Sequence, residues 1–195
     1  MDRDDSSTIF LDVILLALAG FVCIAILLLP HINPPATVAS GRDANESVIA
    51  EITWDNDQDA DIDLWVKAPG DTAVGYSNKG GVFCNLLRDD LGSLADPLRI
   101  NHEETICRSL VTEGRYTVNA HAFRATVVKW PIEVRMRVSV KRPGSSLFQI
   151  VQTTGQLDRV GEEITLANFI LDESGYPEPG SVDMVLNPIR DFMAK

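Results

Sequence analysis

Two hydrophobic patterns divide this chain. Residues 9–29 form an apolar run of 21 residues, Ile-Phe-Leu-Asp-Val-Ile-Leu-Leu-Ala-Leu-Ala-Gly-Phe-Val-Cys-Ile-Ala-Ile-Leu-Leu-Leu, broken by one charge, Asp12. As a helix the run would be about 31 Å long, close to a bilayer's hydrocarbon core. Asp5, Ser6, Ser7 and Thr8 offer N-caps, and Pro30 with Pro34-Pro35 stops the helix. The pattern predicts a stub over 1–8, a transmembrane helix over 9–30 and, where proline and small residues lack any apolar period, an extended linker over 31–46.

From residue 47 onward the period is two. Glu133–Lys141 places Val134, Met136, Val138 and Val140 on one face and charged or polar groups on the other. Arg115–Phe123 does the same with Tyr116, Val118, Ala120 and Ala122. Residues 48–54, 62–66, 147–151 and 164–171 also read as strands. Turn signals separate them at Pro69-Gly70-Asp71, Asn78-Lys79-Gly80-Gly81, Glu113-Gly114 and Arg142-Pro143-Gly144. Seven to nine short strands without a convincing internal helix predict a mainly β fold, an antiparallel β-sandwich over 47–180. Residues 181–195 read as a tail or a short helix.

Composition narrows the function classes. The chain has 195 residues, 45 % of them hydrophobic and 23 % charged, with a net charge of −11. That excludes a disordered chain and a disulfide miniprotein. It also excludes nucleic acid as a partner, because phosphate binding needs a basic surface and no basic stripe exists. A cleaved signal peptide competes for the apolar run, since Val38-Ala39-Ser40 resembles a cleavage site. Three aspartates against one arginine in the first eight residues, and a carboxylate within the run, favour an uncleaved anchor. Arg3 and Arg42 give no charge bias, and a short stub before a large domain fits an N-inside, C-outside orientation.

Asp12 carries the sharpest chemical signal. A carboxylate in an apolar span costs roughly 2.5–3.5 kcal/mol to insert, so an intramembrane acid is a functional candidate by default. Its alternative is a side chain three residues inside the run that reaches the headgroups. The segment Phe10-Leu11-Asp12-Val13-Ile14-Leu15-Leu16-Ala17-Leu18-Ala19-Gly20-Phe21 resembles the transmembrane helix of the ExbD/TolR/MotB family, the B subunits of ion-driven inner-membrane motors. The resemblance implies that Asp12 is the proton- or ion-carrying aspartate. It further implies that two copies pair inside a pentamer of an ExbB/MotA-like polytopic subunit, and that proton motive force drives rotation. Nothing downstream resembles the periplasmic domains of that family, so the output module differs.

The β-rich part has its own likeness. Ile52-Thr-Trp-Asp-Asn-Asp-Gln-Asp-Ala-Asp-Ile-Asp-Leu-Trp-Val-Lys-Ala-Pro-Gly70, Tyr76-Ser-Asn-Lys79 and Gly114-Arg-Tyr-Thr-Val-Asn-Ala-His121 are similar to YfaP-type bacterial domains of unknown function. Those domains are envelope or secreted β-sandwiches, which implies a periplasmic binding or structural module and no particular activity.

Three groups of residues are candidate sites. Asp55, Asp57, Asp59, Asp61 and Asp63 alternate along the chain, and clustered carboxylates suit calcium, which takes six to eight oxygens. In an extended strand alternate residues lie about 7 Å apart, so convergence needs a turn within 56–60, and the EF-hand spacing fails. A solvated acidic loop is the favoured alternative. Cys23 falls in the apolar run, where packing is its simplest role. Cys84 and Cys107 remain as a pair, for which a disulfide is favoured in an oxidising compartment. A zinc site from Cys84, His102, Cys107 and His121 is the competing arrangement, with spacings that match no zinc pattern. No nucleophile elbow, His-Glu-X-X-His or phosphate-binding glycine loop is present, which argues against an enzyme.

The leading expectation is a single-pass inner-membrane B-type motor subunit, N-terminus cytoplasmic, whose β-sandwich engages an envelope target. The alternative is a membrane-anchored β-sandwich binding module without ion translocation. The stub 1–8, helix 9–30, linker 31–46, sandwich 47–180 and tail 181–195 are common to both.

Overall fold

The computed structural model describes residues 11–24, 46–92 and 100–190. The chain divides into two units, Met1–Thr37 and Val38–Lys195, each taken here by itself. In the first unit residues 11–24 form a helix, α1, rich in leucine, isoleucine, alanine and valine and without proline, and every residue of it is exposed. At 1.5 Å per residue the described part of α1 extends about 21 Å. Among the described residues no helix is long and apolar enough to cross a membrane. Of the helix expected over 9–30, residues 11–24 are described and are helical; residues 9, 10 and 25–30 lie outside the described residues, as do the stub 1–8 and residues 31–45 of the linker.

The second unit is built of eight strands: β1 Ser47–Thr53, β2 Asp59–Lys67, β3 Cys84–Arg88, β4 His102–Cys107, β5 Arg115–Val127, β6 Ile132–Lys141, β7 Phe148–Leu157 and β8 Glu163–Ile170. They make a five-stranded sheet in the order β3-β4-β1-β6-β7 and a three-stranded sheet in the order β2-β5-β8. All pairings are antiparallel. The core holds the inward positions that the period-two pattern marks: Ile52 on β1, Ile62 and Leu64 on β2, Val134 and Val138 on β6. Each such aliphatic side chain contributes roughly 1.5–3 kcal/mol on burial. Tyr116 stacks on Phe169 at 5.1 Å, and its hydroxyl accepts the Val111 N–H at 2.9 Å.

β3 and β4 escape the hydrophobic pattern for a physical reason. On β4 the buried positions are Glu103, Thr105 and Cys107, so polar groups face inward and the apolar rule reads the strand inside out. The Cys84–Cys107 disulfide joins these strands at directly paired positions.

Residues 181–190 form no helix; they run extended along the three-stranded sheet. Asp183 bridges Asn168, Asn187 donates to Thr117 Oγ1 at 3.0 Å, and the Ile189 N–H reaches Glu163 at 3.2 Å.

The loop from 68 to 83 is organised by one side chain. The Asp71 carboxylate accepts N–H groups from Thr72 (2.7 Å), Val82 (2.6 Å), Phe83 (3.1 Å) and Cys84 (2.9 Å). Gly75 then lies flat on Trp65: a Cβ there would sit 2.5 Å from the indole ring.

Candidate functional site: an acidic pocket at the edge of β2

β2 ends its sheet, so every second N–H along one side has no partner strand. Val66 is answered by an isolated bridge to Val74. Leu64 is answered by a side chain of the other sheet: the Glu103 carboxylate accepts its N–H at 2.5 Å and the Asp90 N–H at 3.1 Å. Glu103, 1 % exposed, thus clasps the two sheets and the loop after β3 together.

That clasp brings further acids into the same place. One carboxylate oxygen from each of Asp63, Asp89 and Glu103 lies within 4.8 Å of the others. Asp61 and Asp90 stand beside them, both buried. Asp90 accepts the N–H groups of Gly92 and His102 at 3.0 Å each. Positive charge enters only from the periphery. Lys79 bonds Asp89 at 2.6 Å, Arg124 approaches Asp61 at 3.5 Å and Arg88 approaches Asp90 at 3.8 Å. His121 Nδ1 lies 2.8 Å from Asp63 Oδ2, in a register row that continues to Glu163 on β8.

This electrostatic environment disfavours ionisation. Burial, then the neighbouring Asp63, pushes the Asp61 carboxyl up to about 7, against the pull of Arg124. Burial also raises Asp63, with the His121 hydrogen bond opposing. Glu103 is held well above the usual carboxylate range by burial, although the Leu64 N–H favours its charged form. Asp61, Asp63 and Glu103 therefore hold their protons more tightly than free carboxyls do. Asp63, Asp89 and Glu103 could supply three of the six to eight oxygens that calcium takes at 2.3–2.6 Å. Asp89 Oδ1 is closed to solvent and accepts no hydrogen bond, so its lone pairs are available for such an ion.

The five aspartates singled out by sequence separate in space. A turn does fall at 55–58, closed by the Gln58 N–H on the Asp55 carbonyl at 3.0 Å. Its acids point outward: Asp55 pairs with Arg135 at 2.5 Å and Asp57 is exposed. Asp59 is half-buried next to Gly92, whose Cβ would lie 3.3 Å from Asp59 Oδ1. Asp61 and Asp63 turn into the pocket. Asp89, Asp90 and Glu103, which complete it, lie 26 to 40 positions beyond Asp63, and the one local signal for them was the Asp89-Asp90-X-Gly92 spelling of a turn. Because Cys84 and Cys107 are oxidised to each other, the alternative zinc arrangement with His102 and His121 is excluded; His102 and His121 belong to different sheets. Asp12 lies on α1, exposed, the one charged residue of 11–24.

No family model, no curated protein and no solved structure matches this chain.

Proposed function

We propose that the chain is the B-type subunit of an ion-driven inner-membrane motor of the ExbD/TolR/MotB kind, with its β-sandwich as the module that engages an envelope target. The carrying observation is α1: its residues are apolar or small on every face, all exposed, with Asp12 as the single charge. A helix apolar all round has no polar face for water and needs lipid or other helices around it. One helix cannot enclose an ion pathway, so the mechanism requires a polytopic partner, and two copies of Asp12 would alternately take up and release the ion against it. The Cys84–Cys107 disulfide suits an oxidising compartment such as the periplasm. In the test, the full chain is co-expressed with an ExbB/MotA-like subunit and reconstituted in vesicles. Asp12→Asn keeps the complex assembled and abolishes proton flux. Undiminished flux in that variant overturns the reading.

The acidic pocket favours a second reading, a tethered binding module that uses calcium to fasten its two sheets. The ligands would then be Asp63, Asp89 and Glu103 rather than the alternating run from Asp55 to Asp63. Millimolar calcium added to chelator-treated full chain raises the unfolding temperature, and Asp63→Asn removes the rise. Replacing residues 9–29 by an unrelated anchor separates the readings, because only the tether tolerates it.

A further inference from the structure

The outer face of the five-stranded sheet holds a second cluster, of different chemistry. Registers align Arg88 on β3, Glu104 on β4, Glu51 on β1, Arg137 on β6 and Gln152 on β7 in one row across all five strands. His102, two residues before Glu104, shares that face, while Glu103 between them points inward to the acidic pocket. Glu51 and Glu104 are thus like charges on directly opposed positions, an arrangement that destabilises a strand pair unless a cation lies between. Arg137 answers Glu51, forking onto it at 2.9 and 3.0 Å, while Arg88, in register with Glu104, donates to the His102 and Ile100 carbonyls. Glu104 makes no hydrogen bond or ion pair among the described residues. His102 Nε2 is closed to solvent, accepts and donates nothing, and lies 3.6 Å from Glu51 Oε1, too far for a hydrogen bond. One ligand atom from each of Glu51, His102 and Glu104 lies within 4.8 Å of the others.

We propose that Glu51, His102 and Glu104 form a site for a transition-metal ion of the zinc type. An imidazole nitrogen with two carboxylates suits zinc and its neighbours rather than calcium or magnesium, which favour oxygen throughout. Metal–ligand distances of about 2.0–2.2 Å put tetrahedral ligands roughly 3.4 Å apart. Rotation of the unpaired Glu104 side chain closes the remaining gap without moving the strands. The ion would offset the Glu51–Glu104 repulsion and give His102 Nε2 its missing partner. Arg137 would stay on Glu51 as an outer-shell hydrogen bond that fixes the carboxylate's orientation. Three protein ligands leave the fourth position open. Water would complete the shell; of the three ligands Glu51 also lines a groove of about 250 Å³ with Arg135, Arg137, Gln149 and Gln152.

The test uses untagged full chain, stripped of metal, titrated with zinc at neutral pH against a chromophoric chelator. Wild type takes up one equivalent at this site. His102→Ala and the isosteric Glu104→Gln each weaken that binding by about 100-fold or more, and Arg137→Lys by about tenfold. Asp57→Asn, at an exposed position outside both clusters, leaves it unchanged. Cobalt in place of zinc gives a tetrahedral visible spectrum that both ligand variants lose. Circular dichroism verifies their fold; should His102→Ala fail to fold, Glu104→Gln decides. Absence of zinc uptake by wild type overturns the proposal, as does uptake of wild-type strength in the folded variants.

Discussion

Asp61→Asn tests the electrostatics of the acidic pocket with a nearly isosteric change. Asp61 has its side chain 5 % exposed, with Arg124 at 3.5 Å as its counter-charge and Asp63, Asp89 and Asp90 repelling it. Its carboxyl is raised from 3.8 to about 7. A group that binds its proton more tightly in the fold stabilises fully below its unfolded value, and that stabilisation is lost as pH rises through the folded one. For Asp61 the loss runs from about pH 4 to about pH 7, three units at roughly 1.4 kcal/mol each, or about 4 kcal/mol. Asparagine does not titrate, so it escapes this loss. It forfeits the Arg124 pair, worth about 1 kcal/mol or less for a half-exposed guanidinium. Relative to wild type, the variant should gain roughly 3 kcal/mol between pH 5 and pH 8 and be the more stable protein at pH 8. Urea denaturation of the full chain with chelator, followed by tryptophan fluorescence, measures both. Trp54 and Trp65 are buried reporters in the β-rich unit. A difference that stays flat with pH, or a variant less stable at pH 8, refutes the reasoning. Calcium at pH 8 should narrow the gap, since it relieves in wild type the repulsion that asparagine removes in the variant.

Other changes isolate other parts of the fold. Asp71→Ala leaves four N–H groups of the 72–84 segment without their acceptor and should cost about 3 kcal/mol. Asp57→Ala, at an exposed position, should stay within about 0.5 kcal/mol in the same denaturation assay. Cys84→Ala with Cys107→Ala opens a loop of sequence separation 23 and should cost about 3 kcal/mol. Dithiothreitol should produce the same shift in wild type and none in the double variant.

The links between sequence and fold differ in strength along the chain. Where side chains alternate cleanly, as in Glu133–Lys141, the inward set is the buried set, because period two leaves a strand only one apolar face to hide. Where polar and acidic side chains face inward, that logic inverts. β4 was unreadable because Glu103 and Thr105 occupy its core-facing positions. The disulfide was legible from two cysteines outside the apolar run, but that it ties β3 to β4 at a paired position was not. The C-terminal stretch, ambiguous between tail and helix, is settled by partners far away in sequence: Asn168, Thr117 and Glu163 take up its polar groups along the sheet.

By itself the sequence determined the two-part plan: an apolar helix with one acid, Asp12, and an antiparallel β-rich unit with its turns and its cysteine pair. These rest on local periodicity and composition, which neighbours along the chain suffice to express. Only the tertiary structure decided which acids meet. Asp55 and Asp57, next to Asp59 in the same run, are turned out to Arg135 and to solvent, while Asp61 and Asp63 are gathered with Asp89 and Glu103. The physical reason is the unpaired edge of β2: the Leu64 N–H needs an acceptor, and the fold supplies Glu103 from the opposite sheet, drawing the whole acidic cluster with it.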